Sequence, residues 1–490
     1  MWITDKYIYA MLLIFPLFTG FYGYTQITAS KYVLFSVLTV LWLLALLIGC
    51  LVCRNVPDIK HTGFPALLIL IYLLLCCLSA LFSSYGSSVL IGKGRYDGLV
   101  TTLLCVCIFF GVSEFARPRP GYVFAASISM SLNCAVAVIQ LLGYNPLHLF
   151  PGNYSYYDAG VRFSSIFLGT IGNADLFSSF ICLFLPLASV YYVAAERKHT
   201  WLLPAVLLGA FCIFVSGVSG GILALAVLIV AASPFVVTDG ERLRRALDVA
   251  VLIALALFSA YSFRTAGSSG HLALSFVPGR RGAAVLAAAV CLLVLRLLLR
   301  KHEPGKRAVS RLAAGFSVSA VLAGFALSYF WRGTDGTIYE FSQVLHGNIS
   351  DKFGSSRILI WKKVLGLVPG HLLFGGGPGT IAQRLDLTFT RFVAETGKTL
   401  STYVDNAHNE YLGILANTGL ASLISYLGAQ ILSLAGAIKK AGTSALGISI
   451  VCSLICYWVQ AFFNLGLFLV SPLMWLVWGL LISSLSHAKS

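Results

Sequence analysis

The chain has 490 residues, of which 58% are hydrophobic and only 11% charged, with a mean hydropathy of +0.87. A water-soluble core has no use for that much apolar surface, so the composition excludes a soluble globular domain and points to a polytopic membrane protein. The formal net charge of +16 does not indicate a nucleic-acid binder, because the basic residues are scattered over many short loops and form no stripe.

In lipid every backbone polar group needs an internal partner, and the apolar runs here are continuous rather than alternating, so they read as helices and not as barrel strands. The predicted fold class is all-α, with about 12–14 transmembrane helices and one large extracytoplasmic loop carrying short amphipathic helices. In chain order the spans centre near Leu17, Leu43, Leu73, Cys107, Met130, Leu183, Leu208, Val227, Leu255, Val290, Val321, Leu423, Leu454 and Val477. The first run begins near Tyr7 without a small-residue cleavage site and reads as a retained signal-anchor. The seventh and eighth are separated only by the SGVSGG break at 216–221. This divides the chain into a bundle of about 11 spans over residues 1–332, a polar loop at 333–406, and about three spans over 407–490.

Sidedness follows from the basic residues. With the N-terminus cytoplasmic, Arg54, Lys60, Arg117, Arg119, Arg197, Lys198, Arg242, Arg244, Arg245 and the cluster from Arg300 to Arg311 fall inside. The alternate short loops hold fewer, namely Lys31, Lys93, Arg95, Arg162, Arg264, Arg280 and Arg281. Lys and Arg concentrate on cytoplasmic loops, so the 333–406 loop is expected outside. The twelve cysteines sit in apolar runs and read as small buried hydrophobes. No disulfide framework or metal pair is expected, the CLVC at 50–53 included.

Within the outer loop, SSRILIWKKVLGLVPG places Ile358, Trp361, Leu365 and Val368 at helical spacing, with Arg357, Lys362 and Lys363 between them. A short interfacial helix is predicted, stopped at Pro369 and Gly370. Gly375, Gly376, Gly377 and Gly379 then form a flexible turn, which lacks the Lys-Ser/Thr of a phosphate-binding P-loop. The stretch DNAHNEYLGILANTGL at 405–420 follows. Asp405 and Asn406 are candidate N-caps, with a helix starting around His408. A helix N-terminus suits an anion. Taken alone, this polar run is explained equally well as a cap on a span. It lacks the second histidine of a zinc-protease HExxH.

Arg95, Arg162, Arg280, Arg281 and Arg357 are all expected on the same outer side. Each alone reads as an interfacial cation, but together, beside a helix N-terminus and His408, they suit a lipid diphosphate. Tyr154, Tyr156 and Tyr157 could stack on sugar rings or simply belong to the aromatic belt.

The segment RILIWKKVLGLVPGHLLFGGGPG followed by AHNEYLGILANTGL resembles the signature region of the O-antigen ligase and O-antigen polymerase superfamily of bacterial membrane glycosyltransferases. GRYDGLVTTL and GTIGNADLFSSFICLFLPL upstream resemble further family segments, so the likeness runs from about Lys93 to Ile424. The resemblance implies a metal-independent transferase of the bacterial cytoplasmic membrane, without cofactor. Its donor would be a polyprenyl-diphosphate-linked glycan and its acceptor a glycan, lipid or protein hydroxyl. It implies that Arg357 contacts the diphosphate and that His408 activates the acceptor or orients the phosphate. Arg95 and Arg162 would support the donor, with Arg280, Arg281, Asn409 and Glu410 as further substrate contacts. Two positions depart from the family: Gly220 stands where an arginine is common, and Asp175 where an asparagine is usual. A second class, a lipid-linked oligosaccharide flippase, shares the span count. It is disfavoured because the spans look nearly free of charge and the polar mass lies in one loop. A cell-wall polymerase of the shape-and-division type shares the architecture but not these motifs.

Overall fold

The computed structural model describes residues 2–53, 63–150, 168–266, 273–276, 279–300, 304–393, 397–440 and 444–487. Every expected span centre falls in a helix. Among the described residues, eight helices are long and apolar enough to cross a membrane: Ile27–Val52, Gly63–Leu81, Pro120–Leu141, Ala174–Ala194, Ser219–Val236, Arg280–Leu298, Lys306–Tyr329 and Leu420–Lys439. Four shorter apolar helices join them, at Leu99–Phe115, Thr200–Val215, Ala445–Ala461 and Ser471–Leu485. An N-terminal helical run from Trp2 to Leu17, with a π-turn at Ala10–Ile14, and the helix Gly240–Ser262 fill the two remaining positions. The first run ends where its centre was expected, because the chain becomes extended at Phe18. The described strands form only two antiparallel hairpins, Phe263–Ala266 with Ala273–Phe276 and Thr388–Val393 with Lys398–Tyr403.

The Ala174–Ala194 helix is the hub. It is apolar all round and buried on nearly every side, as a helix enclosed by others must be. It packs on Ala445–Ala461, Pro120–Leu141, Leu203–Val215, Ser219–Val236 and Gly240–Ser262. The helices Arg280–Leu298 and Lys306–Tyr329 lie at the periphery instead, with Leu293, Leu312, Phe316 and Leu322 exposed as a lipid-facing surface.

The turn leading into the hub is held from several directions. Asn133 Oδ1 accepts from the Thr170 amide at 2.9 Å and Gln140 Oε1 from the Gly169 amide at 3.1 Å. The Thr170 hydroxyl donates to the Pro16 carbonyl at 2.8 Å. Asn173 then caps the hub by accepting from Leu176 N at 3.0 Å. Two turns of the chain otherwise free to wander are thereby fixed, and Asp175, in the hub's first turn, is fixed with them.

The spans carry more charge than their sequences suggest. Lys31, expected in a loop, is inside the Ile27–Cys53 helix with 0% exposure. Its ammonium donates to the carbonyls of Phe15 and Pro16 at 2.9 and 2.8 Å, satisfying the last carbonyls of the N-terminal helix. Arg296 and Asp248 pair between two helices at 2.7 Å, with the Tyr192 hydroxyl donating to Asp248 at 2.8 Å. Charged residues within spans survive when they are paired or hydrogen-bonded, and sequence alone does not show the partner.

Between the Lys306–Tyr329 and Leu420–Lys440 helices lie the short helices Gly336–Leu345, Phe353–Leu365 and Glu410–Thr418 and the second hairpin. The predicted interfacial helix is present, but its buried seam is shifted. Ile360, Val364 and Val368 are buried while Leu365 is half exposed. Ile360 and Val364 pack with Ile381, Leu385, Leu412 and Ala416, so the helix rests on the loop's own small core and not only on a membrane surface. The helix also stops earlier than expected, at Leu365, with a 3-10 turn at Pro369–His371 after it.

Candidate functional site

The residues that assemble a site come from three widely separated segments: the 92–98 loop, the start of the hub helix, and the 353–410 region. Arg357 Nη2 lies 3.4 Å from Asp175 Oδ1, and His408 Nδ1 lies 3.8 Å from Asp175 Oδ2. Arg357 also donates from Nη1 to the Gly354 carbonyl at 3.0 Å. Arg95 grips Asp405 with two bonds, Nε to Oδ2 at 2.6 Å and Nη2 to Oδ1 at 3.0 Å. This bidentate pair anchors the segment that carries His408.

The local chain is bent to suit. Five non-glycine residues among those described have positive φ, and four belong here: Tyr96 at 55°, Ser355 at 57°, Ser356 at 66° and His408 at 45°. Tyr96 follows Arg95, the two serines precede Arg357, and His408 is itself left-handed. Such backbone costs roughly 1–2 kcal/mol per residue and gathers where a side chain must be aimed. Asn406 supports the bend at His408 by accepting from its amide at 2.9 Å.

The predicted helix start is corrected by this geometry. Asp405 is taken by Arg95 and Asn406 closes the turn, so the N-cap is Asn409, accepting from Leu412 N at 2.9 Å, and the helix begins at Glu410. Asn409, 5% exposed, spends its side-chain carbonyl as a cap. Glu410 does not reach the arginines. Its Oε1 accepts from the Tyr426 hydroxyl at 2.7 Å.

The glycine turn is pinned, not flexible. The amides of Gly376 and Gly377 donate to the carbonyls of Ala416 and Asn417 at 3.1 and 2.8 Å, and the Ser83 hydroxyl donates to the Gly376 carbonyl at 2.6 Å. A Cβ on Gly375 would stand 2.3 Å from the Asn417 backbone, so only glycine permits this docking. Arg384, which sequence reading missed, ties the same region together by donating to the carbonyls of Ala416 and Leu367 at 2.7 and 3.1 Å.

Arg280 and Arg281 are not part of the cluster. They open the peripheral Arg280–Leu298 helix, exposed, and among the described residues no hydrogen bond or ion pair joins them to Arg357, Asp175 or His408. Arg162 and Tyr154, Tyr156 and Tyr157 lie outside the described residues. Asp175, noted in the sequence only as a departure, is the residue on which Arg357 and His408 converge. The cap-forming GNAD before an apolar run was the available signal. Gly220 packs against Phe463, where a Cβ would approach to 2.7 Å, so an arginine there would need a different packing.

The electrostatics suit a base beside an anion site. The His408 imidazole is held below its ordinary value, first by burial and further by Arg357 and Arg95, while Asp175 and Asp405 oppose the shift. Arg357 Nε and His408 Nδ1 are among the sixteen buried side-chain atoms of the described residues that have no hydrogen-bond partner. Buried groups left unpaired are rare in folded proteins and mark places where a ligand completes the set.

A family model described as O-antigen ligase matches residues 272–427. The match supports the likeness to the O-antigen ligase and polymerase superfamily read from the sequence. No curated protein matches the chain. The ligase match takes in Arg357, the glycine turn and His408, and leaves Arg95 and Asp175 to the helices upstream. The match supports a membrane glycosyltransferase-type role in polysaccharide biosynthesis.

Proposed function

We propose that the protein moves a glycan from a polyprenyl-diphosphate donor to an acceptor hydroxyl at the outer face of the bacterial cytoplasmic membrane. The observation that carries this reading is the convergence of Arg357 and His408 on Asp175, with no hydrogen-bond partner on Arg357 Nε or His408 Nδ1. In this reading a diphosphate displaces Asp175 from Arg357 and satisfies the guanidinium. The acceptor oxygen attacks the anomeric carbon, and the carbon–oxygen bond to the diphosphate breaks. The leaving diphosphate keeps the electron pair, and its charge is met by Arg357, with Arg95 behind it. Neutral His408 takes the hydroxyl proton, and Asp175, released toward the ring, steadies the imidazolium that forms. No step requires a metal or cofactor. The N-terminus lies in the cytoplasm and the 333–406 loop outside, in accord with the distribution of Lys and Arg.

The test is a size and attachment analysis of surface and lipid-linked glycan in cells with and without the gene, complemented by wild type, Arg357→Ala or His408→Ala. Collapse of long chains to single repeat units identifies a polymerase. Long chains retained on the lipid carrier identify a ligase. If neither pool changes, the transferase reading fails and a flippase becomes the better account. Full activity in a folded His408→Ala protein removes the base role.

A further inference from the structure

The strip that carries His408 has a second face. A cavity of about 140 Å³ is walled by Asn406, Asn409 and Glu410, but not by His408, whose ring turns to Asp175. Tyr72 and Trp475 contribute aromatic wall, and Pro378 and Gly379 of the glycine turn close one side.

Its chemistry is the reverse of the arginine side. No Lys, Arg or His lines it, whereas Asp97 and Glu410 both do. Asp97 is packed between two glycines: a Cβ on Gly92 would stand 2.3 Å from its Oδ1 and one on Gly379 2.8 Å. Glu410 Oε2 and Asn417 Oδ1 are buried without a hydrogen-bond partner. Both are acceptors, so the missing partner donates hydrogen bonds. An anionic diphosphate does not fit beside two carboxyls. The volume is close to the ~150 Å³ cavity that admits one six-membered ring.

We propose that this cavity binds one neutral pyranose ring of the acceptor glycan, its hydroxyls donating to Glu410, Asn417 and Asp97. The assignment to the acceptor rests on the transferase reading above. Asn406 and Asn409, which line the cavity, flank His408 in the chain, so a ring bound there lies beside the segment that carries the base.

The experiment is thermal unfolding of the full-length protein in detergent, titrated with a panel of methyl pyranosides and, separately, with undecaprenyl diphosphate. Two variants accompany wild type. Glu410→Gln removes a carboxylate. Gly413→Leu fills the cavity from its helical wall, where a new Cβ meets nothing within 4 Å, and its thermal midpoint without ligand reports whether it folds. At least one pyranoside is expected to stabilise wild type, with its apparent affinity falling roughly tenfold or more in both variants. Gly413→Leu keeps the undecaprenyl diphosphate shift. A pyranoside shift that persists in Gly413→Leu overturns the proposal. So does a wild type stabilised by undecaprenyl diphosphate and by no pyranoside, or by methylammonium instead. If wild type responds to neither ligand class, the transferase reading itself is struck.

Discussion

Arg95 and Asp405, 310 positions apart, are joined by two hydrogen bonds from one guanidinium to one carboxylate. Family resemblance gave Arg95 a donor contact, but its observed partner is protein. The pair is about a third exposed on the arginine side and a quarter on the aspartate side, so its value lies in position more than in bulk stability. Arg95→Ala should therefore cost roughly tenfold or more in transfer by loosening the His408 segment. Arg95→Lys should rescue poorly, because an ammonium cannot hold both oxygens. The exchange Arg95→Asp with Asp405→Arg separates the roles. Partial recovery of transfer in membranes supports anchoring, while no recovery with an intact fold supports direct donor contact.

The pH profile of the reaction should report His408. Its neutral form is the base, and burial with Arg357 and Arg95 nearby favours that form, against Asp175 and Asp405. A depressed histidine stays neutral to lower pH, so activity should persist as pH falls and drop only once it passes below 6.5, the ordinary value. Removing a positive neighbour, as in Arg357→Gln, should move the residual activity's acid limb upward. Asp175→Asn should move it further down. An acid limb that ignores both substitutions would show that another group controls the profile.

Ser355 and Ser356 give a stability test. Both adopt left-handed backbone immediately before Arg357, with Gly354 also at positive φ. Glycine takes that conformation without the Cβ conflict. Ser356→Gly should raise the thermal midpoint by the equivalent of about 1 kcal/mol and leave Arg357 in place, whereas Ser356→Val should lower it and reduce transfer. Equal midpoints for the two variants would mean that the turn is not left-handed in the membrane.

The sequence made some of this legible for clear reasons. Long apolar runs have one stable form in lipid, so the span centres from Leu43 to Val477 could be read directly. Arg357 and His408 were visible through a local pattern around a glycine turn. Asp175 was not, because its meeting with Arg357 across 182 positions depends on how the hub helix packs. The position of Arg280 and Arg281, apart from the Arg357 cluster, was hidden for the converse reason: an arginine pair at the end of a peripheral helix looks, in sequence, like one at a central helix. The charges of Lys31, Asp248 and Arg296 inside spans were hidden because hydropathy averages over a window and does not see partners.

The cap register is the last point that experiment can decide. DNAHN contains three good capping residues within five positions, so sequence could not choose among Asp405, Asn406 and Asn409. The structure gives the role to Asn409, whose Oδ1 accepts from Leu412 N at 2.9 Å and whose helix carries Glu410 at its first position. Asn409→Ala should then cost about 1 kcal/mol of stability and loosen Glu410 and His408 together. Serine caps nearly as well as asparagine, so Asn409→Ser should restore most of the thermal midpoint and most of the transfer. A side chain that touches substrate would behave otherwise. In that case Asn409→Ser would recover the midpoint but not the rate, with the acceptor KM raised, and the capping account of Asn409 would have to be replaced by direct recognition.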